Sequence, residues 1–267
     1  MSEAKGIAVV LGSSFSEGFA SAAGLVEERV STSSGAVRLH RLASAERPTW
    51  CLFRHGLPHL LLPQQIDWRA NAAALREVGV ASLLVTSSVG VLDASIPLFE
   101  PLLVSDLLML DNRLPDGSLC TMFERTTATQ GHLVLDEGLF SVELGAQVRR
   151  LAEAAGAPVR GEVVFGYAPG PRTKTRAENA AWARLGAQVN SMTLGPEVVL
   201  ANELGIPCAG LVVGHKYSLP VPGTGLDDDS VAASLVRARE NLERLVLAFL
   251  RGGSPVPFRN SLFRFGR

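Results

Sequence analysis

Apolar residues fall along this chain in short unbroken runs punctuated by turn residues, and between those runs they recur every three or four positions. Such an alternation predicts strands and helices in turn, with several strands buried on both faces as in a parallel sheet. Gly6–Leu11 reads as a strand running into Gly12-Ser13-Ser14, and Phe15, Phe19, Ala22 and Val26 continue with helical spacing. Val37–Leu42 and Trp50–Arg54 read as two more strands. Asp67 caps a helix through Trp68, Ala72 and Leu75 to Val78, Gly79 stops it, and the strand Ser82–Thr86 then opens into a hydroxyl-rich turn, Ser87-Ser88-Val89-Gly90. From Leu92 to about Leu135 no period is clear, and Asp111–Leu119 reads as a polar loop.

The second half is more regular. Glu137–Ala155 predicts an amphipathic helix, Arg160–Tyr167 a strand, and Ala168–Thr175 a rigid turn before a helix carrying Ala177, Ala181 and Leu185. Asn190-Ser191-Met192-Thr193 breaks the period, and Pro196 with Glu197 begins a helix that ends near Gly205. Pro207–Val213 is then a buried strand whose carboxyl end delivers Gly214, His215 and Lys216. Asp227-Asp228-Asp229 precedes a helix marked by Val231, Leu235, Ala238, Leu242, Leu245 and Phe249, and reads as an acidic cap, not a metal set. Residues 253–267 form a tail with Phe258, Leu262, Phe263 and Phe265, expected to expose aromatics that cover a neighbour or a pocket.

With 267 residues and 47% hydrophobic composition, one α/β domain over 1–267 is expected. A formal net charge of −1 gives no global case for nucleic acid or an anionic membrane as partner. No apolar run approaches the roughly 20 residues that span a bilayer, and the first residues lack the apolar region of a signal peptide. A soluble, cytoplasmic protein is the expectation, and the scattered Cys51, Cys120 and Cys208 are read as buried free thiols. No Walker loop, G-x-G-x-x-G, H-E-x-x-H, C-x-x-C or G-x-S-x-G occurs.

Chemistry collects at the ends of the predicted strands. Ser13, Arg54 with His55, Ser88 and Thr193 are oxyanion donors at four such ends, and Arg54 carries the planar fork that suits two oxygens at once. Ligands of open α/β sheets sit beyond the carboxyl ends of strands, which places Met192, Thr193, His215 and Lys216 in a pocket. His59 adds a second histidine to the Arg54–His59 segment in a chain with only five.

R-H-G-x-x-H followed by L-L-L-P-Q-Q-I-D-W-R-A-N-A-A-A-L, together with G-P-R-T-K-T-R-A-E and N-S-M-T-L-G-P-E-V-V-L-A, resembles the trimeric nucleoside phosphorylase family, and its methylthioadenosine branch most. The resemblance runs from about Gly6 to about Leu250. It implies a single α/β domain with a mixed, partly barrel-like sheet flanked by helices, usually a homotrimer with active sites near subunit contacts. It implies phosphate binding by Ser13, Arg54, His55, Ser88 and Thr193, sugar contacts from His59 and Met192, and a base pocket of Thr173, Lys174, His215 and Lys216. Arg54, His59 and Lys216 are the implied catalytic residues, inorganic phosphate is a co-substrate, and no cofactor or metal is called for. The implied reaction is phosphorolysis of a purine nucleoside. Lys216 stands where family members carry Asn or Asp, Thr173 and Lys174 replace a Phe and a Glu of the purine branch, and Leu57 replaces an arginine. A lysine can donate to O6 or N7 of a 6-oxopurine but cannot accept from N6 of adenine, so altered base specificity is expected. A nucleoside hydrolase and a non-catalytic nucleoside- or phosphate-binding homologue are the alternatives.

Overall fold

The computed structural model describes residues 5–127, 130–220 and 228–264. Its strands are β1 (Gly6–Leu11), β2 (Leu25–Thr32), β3 (Gly35–Leu42), β4 (Thr49–Phe53), β5 (Val80–Val91), β6 (Pro101–Leu108), β7 (His132–Val134), β8 (Glu162–Tyr167), β9 (Val189–Ser191), β10 (Cys208–Tyr217) and β11 (Ser261–Phe263). Its helices are α1 (Glu17–Ala23), α2 (Trp68–Glu77), α3 (Val142–Ala154), α4 (Arg176–Arg184), α5 (Gly195–Glu203) and α6 (Asp228–Gly252).

Nine strands make one mixed sheet in the order β10-β6-β8-β9-β5-β1-β4-β3-β2, and β10 also pairs with β5. That extra pairing closes β5, β10, β6, β8 and β9 into a five-stranded barrel, from which β1, β4, β3 and β2 extend as a wing. The expected mixed, partly barrel-like sheet is therefore the fold observed. Strand alternation divides the core: Ala8 and Val10 of β1 face one apolar cluster, while Ile7, Val9 and Leu11 face another that includes Leu144, Leu245 and Phe249 from α3 and α6. Gly210 interrupts the apolar run of β10 because a Cβ there would stand 2.8 Å from the side chain of Val104, its partner on β6, and 3.0 Å from Phe140.

Several elements depart from the pattern-based expectations. The helix entered at Phe15 stops at Ala23, because Gly24 takes φ 71° and turns its N–H back to the carbonyls of Ala20 and Ser21. Leu25–Thr32 then pairs antiparallel with β3. Ser87–Gly90 is no turn: β5 continues to Val91 because β10 pairs with it residue by residue from Leu83 to Val91, apart from one irregularity near its end. The aperiodic stretch after Leu92 contains β6, whose apolar segment Leu102–Val104 is too short to announce itself in sequence yet sits in the barrel between β10 and β8. The helix expected over Glu137–Ala155 begins at Val142, where Ser141 accepts from Leu144 N at 3.4 Å.

The tail folds back instead of standing free. Val256 is buried with its N–H on Ser82 Oγ at 2.9 Å, Asn260 Nδ2 donates to Gly138 O at 2.6 Å, and β11 pairs with β7. Phe263 is 55% exposed, whereas Asp227 of the acidic cap and Phe265 lie outside the described residues. All three cysteines are buried and free. Among the described residues no helix is long and apolar enough to cross a membrane.

Candidate active site

β5 changes partner along one edge. Val80–Val85 pair with β1 and Gly90–Val91 pair with β9, leaving Thr86–Val89 without a neighbouring strand on that side. Where two strands diverge from a third, a crevice opens at their ends. A cavity of about 830 Å³ occupies it, lined by Ser13 from the end of β1, Ser87 and Ser88 from β5, and Asn190 and Ser191 from β9. Two side-chain bonds fasten the crevice: Thr86 Oγ1 accepts from Gly12 N at 3.1 Å and donates to Val10 O at 2.9 Å.

Hydroxyls from distant segments meet on this wall. Ser87 Oγ lies 3.1 Å from Thr193 Oγ1, and Ser14 Oγ lies 2.8 Å from Ser88 Oγ. Thr193 owes its position to the next residue. Leu194, fully buried, holds φ 74° and ψ −49°, and Gly195 N donates across it to Thr193 O at 3.0 Å. This is a γ-turn with positive φ, a conformation that costs a non-glycine residue about 1–3 kcal/mol and persists only when surrounding structure enforces it.

His55 and His59 both line the cavity, their rings stacked with centroids 4.4 Å apart. His55 Nδ1 is 2.8 Å from Leu61 O; a carbonyl only accepts, so Nδ1 carries the proton and Nε2 is left as an acceptor. Burial, followed by the Arg54 charge and the His59 ring, pushes the His55 pKa down to about 4 against the opposing pull of the Leu61 carbonyl. The imidazole is neutral at pH 7.

Arg54 is the one candidate that the structure does not place on the cavity wall. It is buried directly behind it, with Nη2 donating to the carbonyl of Thr86 and Nε 3.0 Å from Glu197 Oε1, both side chains nearly inaccessible. Its expected direct contact with the cavity is corrected accordingly. β4 ends at Phe53 and the Arg54 N–H goes to Leu11 O, which aims the side chain inward beneath β5. Burial raises the Glu197 pKa and lowers that of Arg54, with the opposite charge resisting in each case. Arg54 Nη1 is buried without a hydrogen-bond partner.

The remaining candidates, Thr173, Lys174, Met192, His215 and Lys216, all line the same cavity, His215 and Lys216 on β10 directly beside the end of β5. Lys174 stands on the turn that leads into α4 and Lys216 on the last residues of β10. The Lys174 pKa is lowered first by burial and then by the charge of Lys216, with Glu178 pulling upward. His215 is likewise lowered by burial, then by Lys216. Ten of the eleven residues singled out from sequence thus meet in one cavity.

Pattern reading missed three kinds of residue. Asn179 and Asn190 line the cavity in a chain of bonds, Asn190 Nδ2 to Asn179 Oδ1 at 3.0 Å and Asn179 Nδ2 to Ser218 O at 3.1 Å. Asn190 falls in the stretch where the period breaks, a usable signal; Asn179 sits unmarked inside a helix. Arg176 at the start of α4 also lines the cavity, and nothing in its local pattern separates it from a surface arginine. Glu197 looks in sequence like an ordinary first-turn acid after Pro196, and only the fold puts Arg54 against it.

Comparison with known proteins shows the family. The family model of the phosphorylase superfamily matches residues 6–251. A probable S-methyl-5'-thioinosine phosphorylase of Methanopyrus kandleri is 33% identical over 77% of this chain and 76% of its own length. The 6-oxopurine nucleoside phosphorylase of Pyrococcus furiosus is 28% identical over 83% of this chain and 84% of its own. Among solved structures, a mutant of adenosine/methylthioadenosine phosphorylase from Schistosoma mansoni, in complex with methylthioadenosine, has a TM-score of 0.78 at 20% identity, covering 93% of this chain and 91% of that one. That structural likeness shows the fold, and the family match with the sequence relatives shows the lineage. The chain belongs to the phosphorylase superfamily and is an enzyme of its nucleoside phosphorylase class.

Proposed function

We propose that this enzyme cleaves the N-glycosidic bond of a 6-oxopurine nucleoside, or its 5'-deoxy-5'-methylthio counterpart, with inorganic phosphate to give free base and sugar 1-phosphate. The observation that carries the reading is the meeting of Ser13, His55, Ser88 and Thr193 from four distant segments on one cavity wall. Hydroxyls and a neutral imidazole acceptor suit a partly protonated phosphate, since they supply both donors and an acceptor. Arg54, behind this wall and paired with Glu197, contributes by holding the Thr86 carbonyl and the start of α5 in place. A phosphate oxygen attacks C1' while the bond to N9 breaks, and the phosphate charge stabilises the cationic sugar as it develops. Met192 and His59 flank the sugar in this reading, and Thr173, Lys174, His215 and Lys216 face the base. The names of the relatives point the same way: the Methanopyrus and Pyrococcus proteins are named for thioinosine and 6-oxopurine nucleosides. No resident cofactor or metal takes part in this scheme.

The direct test is product analysis with inosine, guanosine, methylthioinosine and methylthioadenosine. Phosphate-dependent release of base with formation of sugar 1-phosphate is expected, strongest for the 6-oxopurines. Free sugar formed without phosphate would instead identify a hydrolase, and binding without turnover a non-catalytic homologue. Thr193→Val should raise the KM for phosphate roughly 10- to 150-fold, the loss of one hydrogen bond to a charged group at about 1.5–3 kcal/mol, and move the nucleoside KM far less.

His55 makes a prediction about pH. Its pKa in the folded chain lies near 4, below the value of about 6.5 expected when unfolded, so above 6.5 it is neutral in both states and contributes nothing. As the pH falls below 6.5 the unfolded chain binds a proton that the folded chain refuses, and stability declines until about pH 4. Denaturant unfolding between pH 7.5 and 4 should show this decline, with a shallower slope in His55→Asn.

A homotrimer and a cytoplasmic setting belong to the same reading. Leu60, Leu61 and Leu62 are exposed in succession beside the cavity rim, an apolar run suited to a subunit contact. Light scattering should give a trimer mass, and a monomer mass at working concentration would remove this part of the proposal.

A further inference from the structure

The cavity is charged in one sense only. Among the described residues that line it, Lys174, Arg176 and Lys216 are cationic and none is Asp or Glu. The carboxylates nearby are already engaged. Glu178 is forked by Arg172 at 2.7 and 2.8 Å and accepts from Thr175 N at 2.7 Å, which holds its pKa down at about 2. Glu197 is turned away toward Arg54. Glu178 still pulls on Lys174, but less than Lys216 pushes, and both carboxylates already hold an arginine of their own.

Two lysines close enough for the charge of Lys216 to be felt at Lys174 are a poor fit for a neutral base, which needs one donor per acceptor atom and leaves the second charge uncompensated. The two asparagines on this wall are partly committed, Asn190 Nδ2 to Asn179 and Asn179 Nδ2 to the Ser218 carbonyl, so the polar recognition left over is dominated by cations. Phosphate answers this charge at most in part: Lys216 pairs across β10 and β5 with Gly90, two residues past Ser88, whereas Lys174 stands on the turn before α4, outside the strands that carry the proposed donors Ser13 and Ser88.

Resting on the phosphorolysis reading, we propose that the preferred substrate is a nucleoside whose base is itself an acid ionised near neutral pH, a 2,6-dioxopurine in the first instance, with Lys174 and Lys216 facing its charged edge. In the reaction a phosphate oxygen bonds to C1', the C1'–N9 bond breaks, and its electron pair passes to the base. An already anionic base would then leave with two charges unless its imidazole ring takes a proton. A lysine ammonium donates that proton and regains it from water after the products depart.

Xanthosine, inosine and guanosine, each with saturating phosphate, provide the test. The unaltered enzyme should show a kcat/KM for xanthosine about 10-fold or more above that for inosine, the size of one charge-assisted hydrogen bond. Lys174→Met and Lys216→Met should each lower the xanthosine-to-inosine ratio by about as much, and Lys216→Arg should keep most of it. Melting curves identify any variant that fails to fold, in which case the arginine variant and the unaltered enzyme's own ratio still decide. Inosine or guanosine cleaved as well as xanthosine, or a ratio unmoved by both methionine changes, overturns the inference and leaves phosphorolysis standing. Absence of turnover with all three overturns the reading beneath it, and calorimetric titration with xanthosine then asks separately whether the cavity prefers an anion.

Discussion

The active-site cavity exists because one strand cannot satisfy two partners at the same place. β5 pairs with β10 along one edge from Leu83 to Val91, while on the other edge its pairing with β1 ends at Val85 and its pairing with β9 begins at Gly90. Between them the backbone of Thr86–Val89 would be left with unmet polar groups, which a protein interior does not tolerate cheaply. The fold answers with side chains: Thr86 Oγ1 ties β1 in place, and the Thr86 carbonyl takes a hydrogen bond from Arg54. The cavity wall that Ser13, Ser88 and Thr193 share is arranged around this short unpaired interval.

Arg54 and Glu197 show how far burial can shift a residue's task. Two charges withdrawn from water cost several kcal/mol each, and their attraction offsets this only when further hydrogen bonds complete the arrangement. Here Arg54 reaches the Thr86 carbonyl and stands against Glu197 on α5, so the pair couples the end of β4 to the helix that follows Thr193. Removing either partner would strand the other charge in the core, which is why neither is interchangeable with a surface ion pair such as Arg149–Glu162. Leu194 adds a second constraint at the same junction, its positive φ held by complete burial.

Much of the site was legible because its residues lie at points where the apolar period stops. Ser13, His55, Met192, Thr193, His215 and Lys216 each follow or interrupt a buried run, and chain continuity requires polar groups there to point somewhere other than the core. Ser88 was legible for the wrong local reason, since it belongs to a strand and not to a turn. Asn179, Arg176 and Glu197 were invisible because a helix carries polar residues on most of its surface, and which of them faces a cavity depends on a neighbour far away in sequence.

By itself the sequence determined the alternation of strands and helices, the buried strands and most helix ends, because these follow from local spacing, glycine and proline chemistry and the cost of burying polar groups, and with the family motifs it marked ten of the residues that line the cavity. Tertiary structure alone decided that β6 enters the barrel, that Leu25–Thr32 is a strand, that the tail folds back on β7, and that Arg54 is paired with Glu197 in the interior and does not line the cavity. Each of those outcomes depends on hydrogen bonds or ion pairs with another segment of the chain, from the adjacent strand in the case of Leu25–Thr32 to segments many tens of residues away in the others, and such partners leave no periodic trace in the residues they hold.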